Sequence, residues 1–509
     1  MPHTNTIEQL LAQGAANHTA ISALDQPPLH YAALRQQLHT TVAALNRFGI
    51  ARNDRVAIVL PNGPAMATAF LAVACAASAC PLNPAYRKDE FAFYLADLKA
   101  KALLVAADSD SPAIAAAAQA GITVLRLQPG AAAGEFCLIG PSNPPPAEAG
   151  GLAEPDDIAL ILHTSGTTSQ PKIVPLSQRN LCASAAHVAD TLALNNTDCG
   201  LNIMPLFHIH GLIAGLLAPL AAGSQVFCSP GFNALNFFSW LAIAKPSWYT
   251  AVPTMHQMIA ARAAQNQALI AAQPLRFLRS SSASMPPQVI AQLEAIFKAP
   301  LIESYGMTEA SHQMSSNPLP PKTRKPGTVG LAAGPQIAIM DEAGVLLQTP
   351  NAVGEIVIRG QNVTTGYDNN PSANAQAFTD GWFRTGDQGM LDAEGYLSIT
   401  GRLKEIINRG GEKISPREVD EVLMDHPSVA QVVTFAVPHH KLGEDLAAAV
   451  VLHPDASVTE QALRDFVGQR LVDFKVPRKI IFLTEIPKGA TGKLQRIGLA
   501  QKLGLAPAP

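Results

Sequence analysis

The sequence predicts an α/β chain with a large N-terminal domain, built from two α/β layered subdomains and a small β-barrel, followed by a small α+β C-terminal domain. Three observations predict it. Over 1–326 amphipathic helical patterns alternate with short apolar runs, the signature of helices layered on a largely parallel sheet. Over 327–400 short alternating strands take over, separated by Gly and Asn turns, which suits a small barrel. Beyond Gly401-Arg402 the composition becomes more charged, and helix and strand signals alternate again over the length of a compact domain. At 509 residues the chain also exceeds what one hydrophobic core supports.

Element by element, the first subdomain (1–155) carries expected helices over 6–13 and 31–48 and strands over 55–60 and 102–106. The Ala-rich window 65–80 is the most apolar of the chain but shorter than the ~20 residues a bilayer-spanning helix requires, so it reads as one buried core helix. The Pro- and Gly-rich run 140–154 reads as a solvated connection. The second subdomain (156–326) opens on a buried strand at 158–162 and a second at 172–176, after which Ser177 offers a helix N-cap. In the barrel (327–400) the strands fall at 336–340, 354–359 and 396–400. The C-terminal domain (402–509) has elements at 418–424, 429–437, 446–452 and 460–470.

A formal charge of −3 and a pI near 6.5 leave no electrostatic footprint for nucleic acid or an anionic membrane, so small-molecule chemistry is the expectation. The six cysteines contain no C-x-x-C pair and suit buried thiols in a reducing compartment, with neither disulfides nor zinc expected. The N-terminus lacks the basic and apolar regions of a signal peptide and the C-terminus lacks a peroxisomal tripeptide, so a cytoplasmic protein without stable membrane insertion is expected.

Between the two strands of the second subdomain lies His163-Thr164-Ser165-Gly166-Thr167-Thr168-Ser169-Gln170-Pro171-Lys172. A loop of hydroxyls, backbone N–H groups and one Lys suits a polyphosphate, although an ordinary Ser/Thr-rich turn has the same composition. A Walker loop is excluded, because Pro171 rather than Gly precedes the Lys and a strand rather than a helix follows it.

This segment resembles the phosphate loop of the adenylate-forming superfamily, which includes acyl-CoA synthetases, firefly luciferases and peptide-synthetase adenylation domains. Ser169 and Ile173 stand where Gly is usual, while Thr164 to Thr168 and Lys172 match. Further motifs follow in order. His208, in Pro205-Leu-Phe-His-Ile-His-Gly211, would otherwise read as a structural His at a strand end; the resemblance places it at the mouth of the acyl pocket. Ser281, Ser282 and Ala283 match the adenine contact. Glu303-Ser-Tyr-Gly-Met-Thr-Glu309 offers Tyr305 as a stacking face, Thr308 as a phosphate hydroxyl and Glu309 as a hard oxygen ligand for Mg²⁺. Tyr305 and Met307 suit a core equally well, but Thr308 and Glu309 do not.

Asp387, which as an isolated residue suits a turn cap, and Arg402 match the ribose grip. Lys404 falls at the superfamily's hinge, Gly410, Gly411 and Lys413 match the loop lining the thioester tunnel, and Lys493 aligns with the catalytic lysine. On composition alone Lys493 is a solvated charge on a turn. The resemblance implies ATP, Mg²⁺ and coenzyme A as cofactors or co-substrates, two half-reactions through acyl-AMP, and a C-terminal domain that rotates between them. It further implies a small carboxylic acid substrate; no nucleic acid partner, no fused carrier protein, and a monomer or homodimer are also expected.

The wording of the phosphate loop, the Pro-Leu-Phe-His-Ile-His run and Met307-Thr-Glu-Ala-Ser-His-Gln-Met-Ser-Ser-Asn317 look most like oxalate–CoA ligases. A small dianion requires cationic or donor groups where a fatty acid requires an apolar tunnel. His208, His210, Ser281 and His312 are the candidate substrate residues, with Ser315, Ser316 and Arg279 nearby. The alternatives are a CoA ligase for another short, medium-chain or aromatic acid, a carrier-protein ligase or luciferase-like oxygenase, or a non-catalytic nucleotide-binding homologue.

Overall fold

The computed structural model describes residues 4–142, 145–164, 171–487 and 496–506. The chain divides into two compact units, one of residues 1–164, 172–337 and 358–381, the other of residues 165–171, 338–357 and 382–509.

The first unit contains two largely parallel sheets. In the seven-stranded sheet, Thr123–Pro129, Ala102–Ala106, Arg55–Val59, Ser78–Pro81 and Ile158–Thr164 run parallel in that spatial order, with Phe136–Ile139 and Lys172–Ser177 antiparallel at the two edges. The strand Ala102–Ala106 coincides with the sequence reading, and the helix Tyr31–Arg47 falls within one residue of it. Ser177 caps the helix Gln178–Thr191 through a reciprocal capping box with Asn180.

The window 65–80 is different. Its helix, Pro64–Ala74, stops, and Ser78–Pro81 becomes a buried strand between Arg55–Val59 and Ile158–Thr164. Tertiary strand pairing there overrides the helical propensity of the alanines. Five of the cysteines are buried as expected, whereas Cys137 is exposed.

The nine-stranded sheet carries the candidate site. Its central strands Leu301–Met307, Phe277–Ser280, Trp248–Ala251 and Cys199–Asn202 are parallel neighbours, so their carboxyl ends open on one edge. Ligands of open α/β sheets bind at that edge. Trp248, Tyr249, Phe277 and Leu278 are each essentially inaccessible to solvent, which makes this edge a rigid platform.

In the second unit, the barrel expected over 327–400 is present as a six-stranded half-barrel sheet that includes Gln336–Met340, Gly354–Arg359, Trp382–Leu391 and Leu397–Arg402. A five-stranded sheet of Glu412–Ile414, Ile407–Arg409, Gly443–Leu452, Val429–His439 and Lys479–Phe482 packs with helices Pro416–Met424 and Glu460–Gly468 around Ile407, Leu446, Val450 and Leu463. Among the described residues no helix is long and apolar enough to cross a membrane.

Candidate active site

Thr164 and Lys172 are cross-strand partners closing the two ends of the hydroxyl-rich loop, and the Lys172 N–H points to Thr164 Oγ1 at 3.4 Å. Ser165, Gly166, Thr167 and Thr168 lie outside the described residues, as does Lys493. The Lys172 ammonium sits over the Tyr367 ring, 4.3 Å from its centroid.

Phe277–Ser280 runs into a tight turn, where Ser281 donates to the Ser304 carbonyl at 3.1 Å, Ser282 has φ 73° and Ala283 is exposed. On the neighbouring strand Tyr305 is nearly buried. The single turn Thr308–Ala310 then presents Glu309, which is buried and accepts a hydrogen bond from the Tyr367 hydroxyl at 2.9 Å.

From that turn the chain doubles back as the strand His312–Ser316, with Ser311 at φ 50° and His312 at φ 101°. Non-glycine residues rarely adopt such values, and they concentrate at functional sites. Gly306 is what permits the hairpin to close, since a Cβ there would stand 1.6 Å from the His312 carbonyl oxygen.

His312 thereby reaches Arg279. The register of Trp248–Ala251 against Phe277–Ser280 sets Thr250 beside Arg279, and the guanidinium is completely buried. Its Nη1 donates to His210 Nε2 and to Thr250 Oγ1, each at 3.3 Å, while its Nη2 donates to His312 Nε2 at 3.0 Å and to Gln313 Oε1 at 3.3 Å. Each imidazole Nε2 faces guanidinium N–H groups, so each accepts and carries no proton there. The two rings stack at 4.9 Å, and His210 Nδ1 lies 3.0 Å from Ser282 Oγ.

Burial lowers the Arg279 pKa to about 9, which still leaves it charged at neutral pH. Among the described residues no carboxylate pairs with it, and its Nε has no hydrogen-bond partner. Sequence reasoning named Arg279 only as a nearby candidate; the structure puts it at the centre of a buried cluster of His210, Thr250, His312 and Gln313. His208 instead sets its ring against Phe207 at 4.6 Å, ahead of the π-helical stretch His210–Leu217.

His256, which has no sequence signal, supports the cluster from below. Its Nε2 lies 3.1 Å from the Arg279 carbonyl and its Nδ1 3.1 Å from the Tyr249 hydroxyl, so Nε2–H donates to the carbonyl and Nδ1 accepts from the phenol. Burial lowers its pKa from 6.5 to about 4. Between these values the unfolded chain binds a proton that the native state does not, so stability falls as pH falls through this window. The loss expected from His256 at pH 4 is about 3 kcal/mol. Urea unfolding at pH 7 and pH 4 checks this: His256→Gln should lose about that much less than the native chain, and parallel losses would contradict it.

In the second unit Asp387 and Arg402 are directly opposite on paired strands and form an ion pair at 3.0 Å. The strand holding Asp387, Trp382–Leu391, was not expected from sequence. Gly410 and Gly411 make the turn between Ile407–Arg409 and Glu412–Ile414 with φ 62° and 100°, and Lys413 pairs with Glu342 at the surface. Lys404 lies in the short turn Leu403–Glu405.

The first unit holds the acidic turn Thr308–Ala310 and the Thr164/Lys172 strand pair, and the second holds the Asp387/Arg402 ion pair; these are features the adenylate-forming class shares. Comparison with known proteins agrees. Residues 9–368 match the family model for AMP-binding enzymes, and residues 418–493 match the C-terminal domain of AMP-binding enzymes. The chain is 43% identical over 508 residues to the oxalate–CoA ligase of Arabidopsis thaliana, covering 98% of each chain. It is 34% identical over 508 residues to the sulfoacetate–CoA ligase of Cupriavidus necator, covering 97% of each. ATP-bound MatB from Rhodopseudomonas palustris superposes with a TM-score of 0.86 at 27% identity, over 98% of both chains. The chain belongs to the AMP-binding enzyme family, in the adenylate-forming superfamily, and is an acid–thiol ligase.

Proposed function

We propose that the chain is an ATP-dependent oxalate–CoA ligase. The observation that carries this reading is Arg279, a buried cation without a carboxylate partner among the described residues, ringed by His210, His312, Thr250 and Gln313. Burying an isolated charge is costly, and an anion completing the site removes that cost. An aliphatic acid has nothing to offer it. A short dicarboxylate has: one carboxylate reacts, and the second remains ionised toward the guanidinium, whose Nε–H is the donor not already engaged. The two relatives named above act, by their names, on oxalate and sulfoacetate, each an acid with a second anionic group. A ligase for another short acid with a second anion is the second reading, supported by the same guanidinium.

In the first half-reaction a substrate carboxylate oxygen attacks the α-phosphorus of ATP, forming acyl-AMP and releasing pyrophosphate. In the second, the thiol of coenzyme A attacks the acyl carbon, forms the thioester and releases AMP. Lys493, Lys172 and the hydroxyls of Thr164 to Thr168 meet the phosphoryl oxygens and act by positioning and charge stabilisation. Tyr305, Ser282 and Ala283 hold adenine, Asp387 and Arg402 the ribose, and His208 borders the acyl group with Ser281. Gly410, Gly411 and Lys413 serve the pantetheine arm after the C-terminal domain, 402–509, rotates about Lys404.

Glu309 and Thr308 suit Mg²⁺. One buried carboxylate, with no cluster of three His, Cys, Asp or Glu among the described residues, is the donor set expected where phosphate and water supply the other oxygens. When bound, the cation would offset charge on the phosphates.

The test is His312→Ala. Oxalate kcat/KM should fall at least ~10-fold, about 1.4 kcal/mol, for loss of a donor or orienting group at the second carboxylate. Acetate, which has no second charge, should gain relative to oxalate. Equal losses for both acids would make His312 structural and remove it from the substrate site.

A further inference from the structure

Lys172 and Glu309 belong to different elements, a strand edge and the turn Thr308–Ala310, yet one side chain touches both. Tyr367 presents its ring face to the Lys172 ammonium, 4.3 Å from the centroid, and its hydroxyl donates to Glu309 Oε1 at 2.9 Å. We infer that Tyr367 is a positioning residue for adenylation, setting the distance and orientation of the phosphate-loop lysine relative to the metal-binding carboxylate. The inference rests on the reading of Glu309 as that carboxylate.

The loop around Tyr367 is fastened on every side. Asn374 brackets its backbone, accepting from the Tyr367 N–H at 2.7 Å and donating to its carbonyl at 2.8 Å. The Asp368 N–H donates to the Ile173 carbonyl at 3.0 Å, beside Lys172, and Arg55 pairs with Asp368 at 2.6 Å. The Thr364 N–H donates to the Glu309 carbonyl at 2.8 Å, and Thr364 Oγ1 donates to the Pro175 carbonyl at 2.9 Å. Asn362 reaches the carbonyls of Ala310 and Gln313. The same loop therefore ties the strand bearing Lys172 to the turn bearing Glu309.

The chemistry of the two contacts differs, which makes them separable. The phenol O–H donates to Oε1 of the carboxylate and thereby helps fix the orientation of the whole group toward a hard cation. The ring face holds an ammonium without neutralising it, whereas a carboxylate in its place would compete with phosphate. Tyr367→Phe removes only the first contact and Tyr367→Leu removes both.

Binding of Mn²⁺ to the complex with α,β-methylene ATP, followed by electron paramagnetic resonance, reads the carboxylate. Affinity for α,β-methylene ATP in EDTA reads the lysine. Tyr367→Phe should weaken Mn²⁺ binding about 10-fold and leave metal-free nucleotide affinity within about twofold, while Tyr367→Leu should also weaken the nucleotide about fivefold. Native Mn²⁺ affinity in Tyr367→Phe, or equal losses of both ligands in both variants, would overturn the inference. Glu309→Gln separates the two levels. If it weakens Mn²⁺ binding while Tyr367→Phe does not, only the role of Tyr367 falls; if it leaves Mn²⁺ binding unchanged, the reading of Glu309 falls and the inference with it.

Discussion

Arg279→Met is expected to lower kcat/KM for oxalate roughly 1,000-fold, the about 4 kcal/mol of leaving a buried carboxylate without its charge partner. The same change takes the donor from four buried acceptors, His210 Nε2, Thr250 Oγ1, His312 Nε2 and Gln313 Oε1, so the melting temperature should fall as well, and the comparison of acids in the folded variant carries the test. Lost oxalate activity with retained acetate activity is a pattern that a merely structural arginine would not give. Acetate should lose far less. In the native enzyme the oxalate-to-acetate ratio of kcat/KM should decline above about pH 9 as the free guanidinium deprotonates. Should oxalate and acetate fall together in Arg279→Met, the guanidinium is part of the scaffold.

Lys493→Ala should suppress acyl-AMP formation at least ~100- to 1,000-fold, the scale for removing one donor aimed at charge that develops in the transition state. Thioester formation from supplied acyl-AMP should stay within about threefold. The described residues flanking Lys493 are firmly held: Ile486 is fully buried, and Arg496 pairs with Asp420 at 2.6 Å and with Glu405 at 3.1 Å. Glu405 directly follows the proposed hinge residue, so Arg496 is tied to the residue beside it. Rapid-quench measurement of each half-reaction checks this, and equal loss in both would remove Lys493 from the adenylation role.

What the sequence made legible were features carried by local chemistry. Ser177 and Asn180 form a capping box because their spacing alone allows it, and the strand Ala102–Ala106 follows from a short apolar run. The acidic turn at Thr308–Ala310 was legible because a hydroxyl and a carboxylate that end a strand have no packing purpose.

What was hidden depends on strand register and on distant partners. Arg279 is buried because its strand neighbour is Thr250, 29 positions earlier, and because a hairpin returns His312 from 33 positions later. Tyr367 meets Glu309 across 58 positions, and nothing near it in sequence announces a role. The Ala-rich window misled for the opposite reason: local propensity favoured one helix, while pairing with two neighbouring strands claimed Ser78–Pro81. The strand Trp382–Leu391 likewise went unnamed, because Asp387 in isolation suits a turn cap.

Selection by Arg279 of a short acid with a second anionic group is read from AMP formation with ATP, Mg²⁺ and coenzyme A across oxalate, malonate, sulfoacetate, acetate and hexanoate. Oxalate should have the highest kcat/KM, at least ~10-fold above acetate, since one charge-assisted contact is present for the first and absent for the second. A preference for hexanoate or acetate over every doubly anionic acid would contradict it.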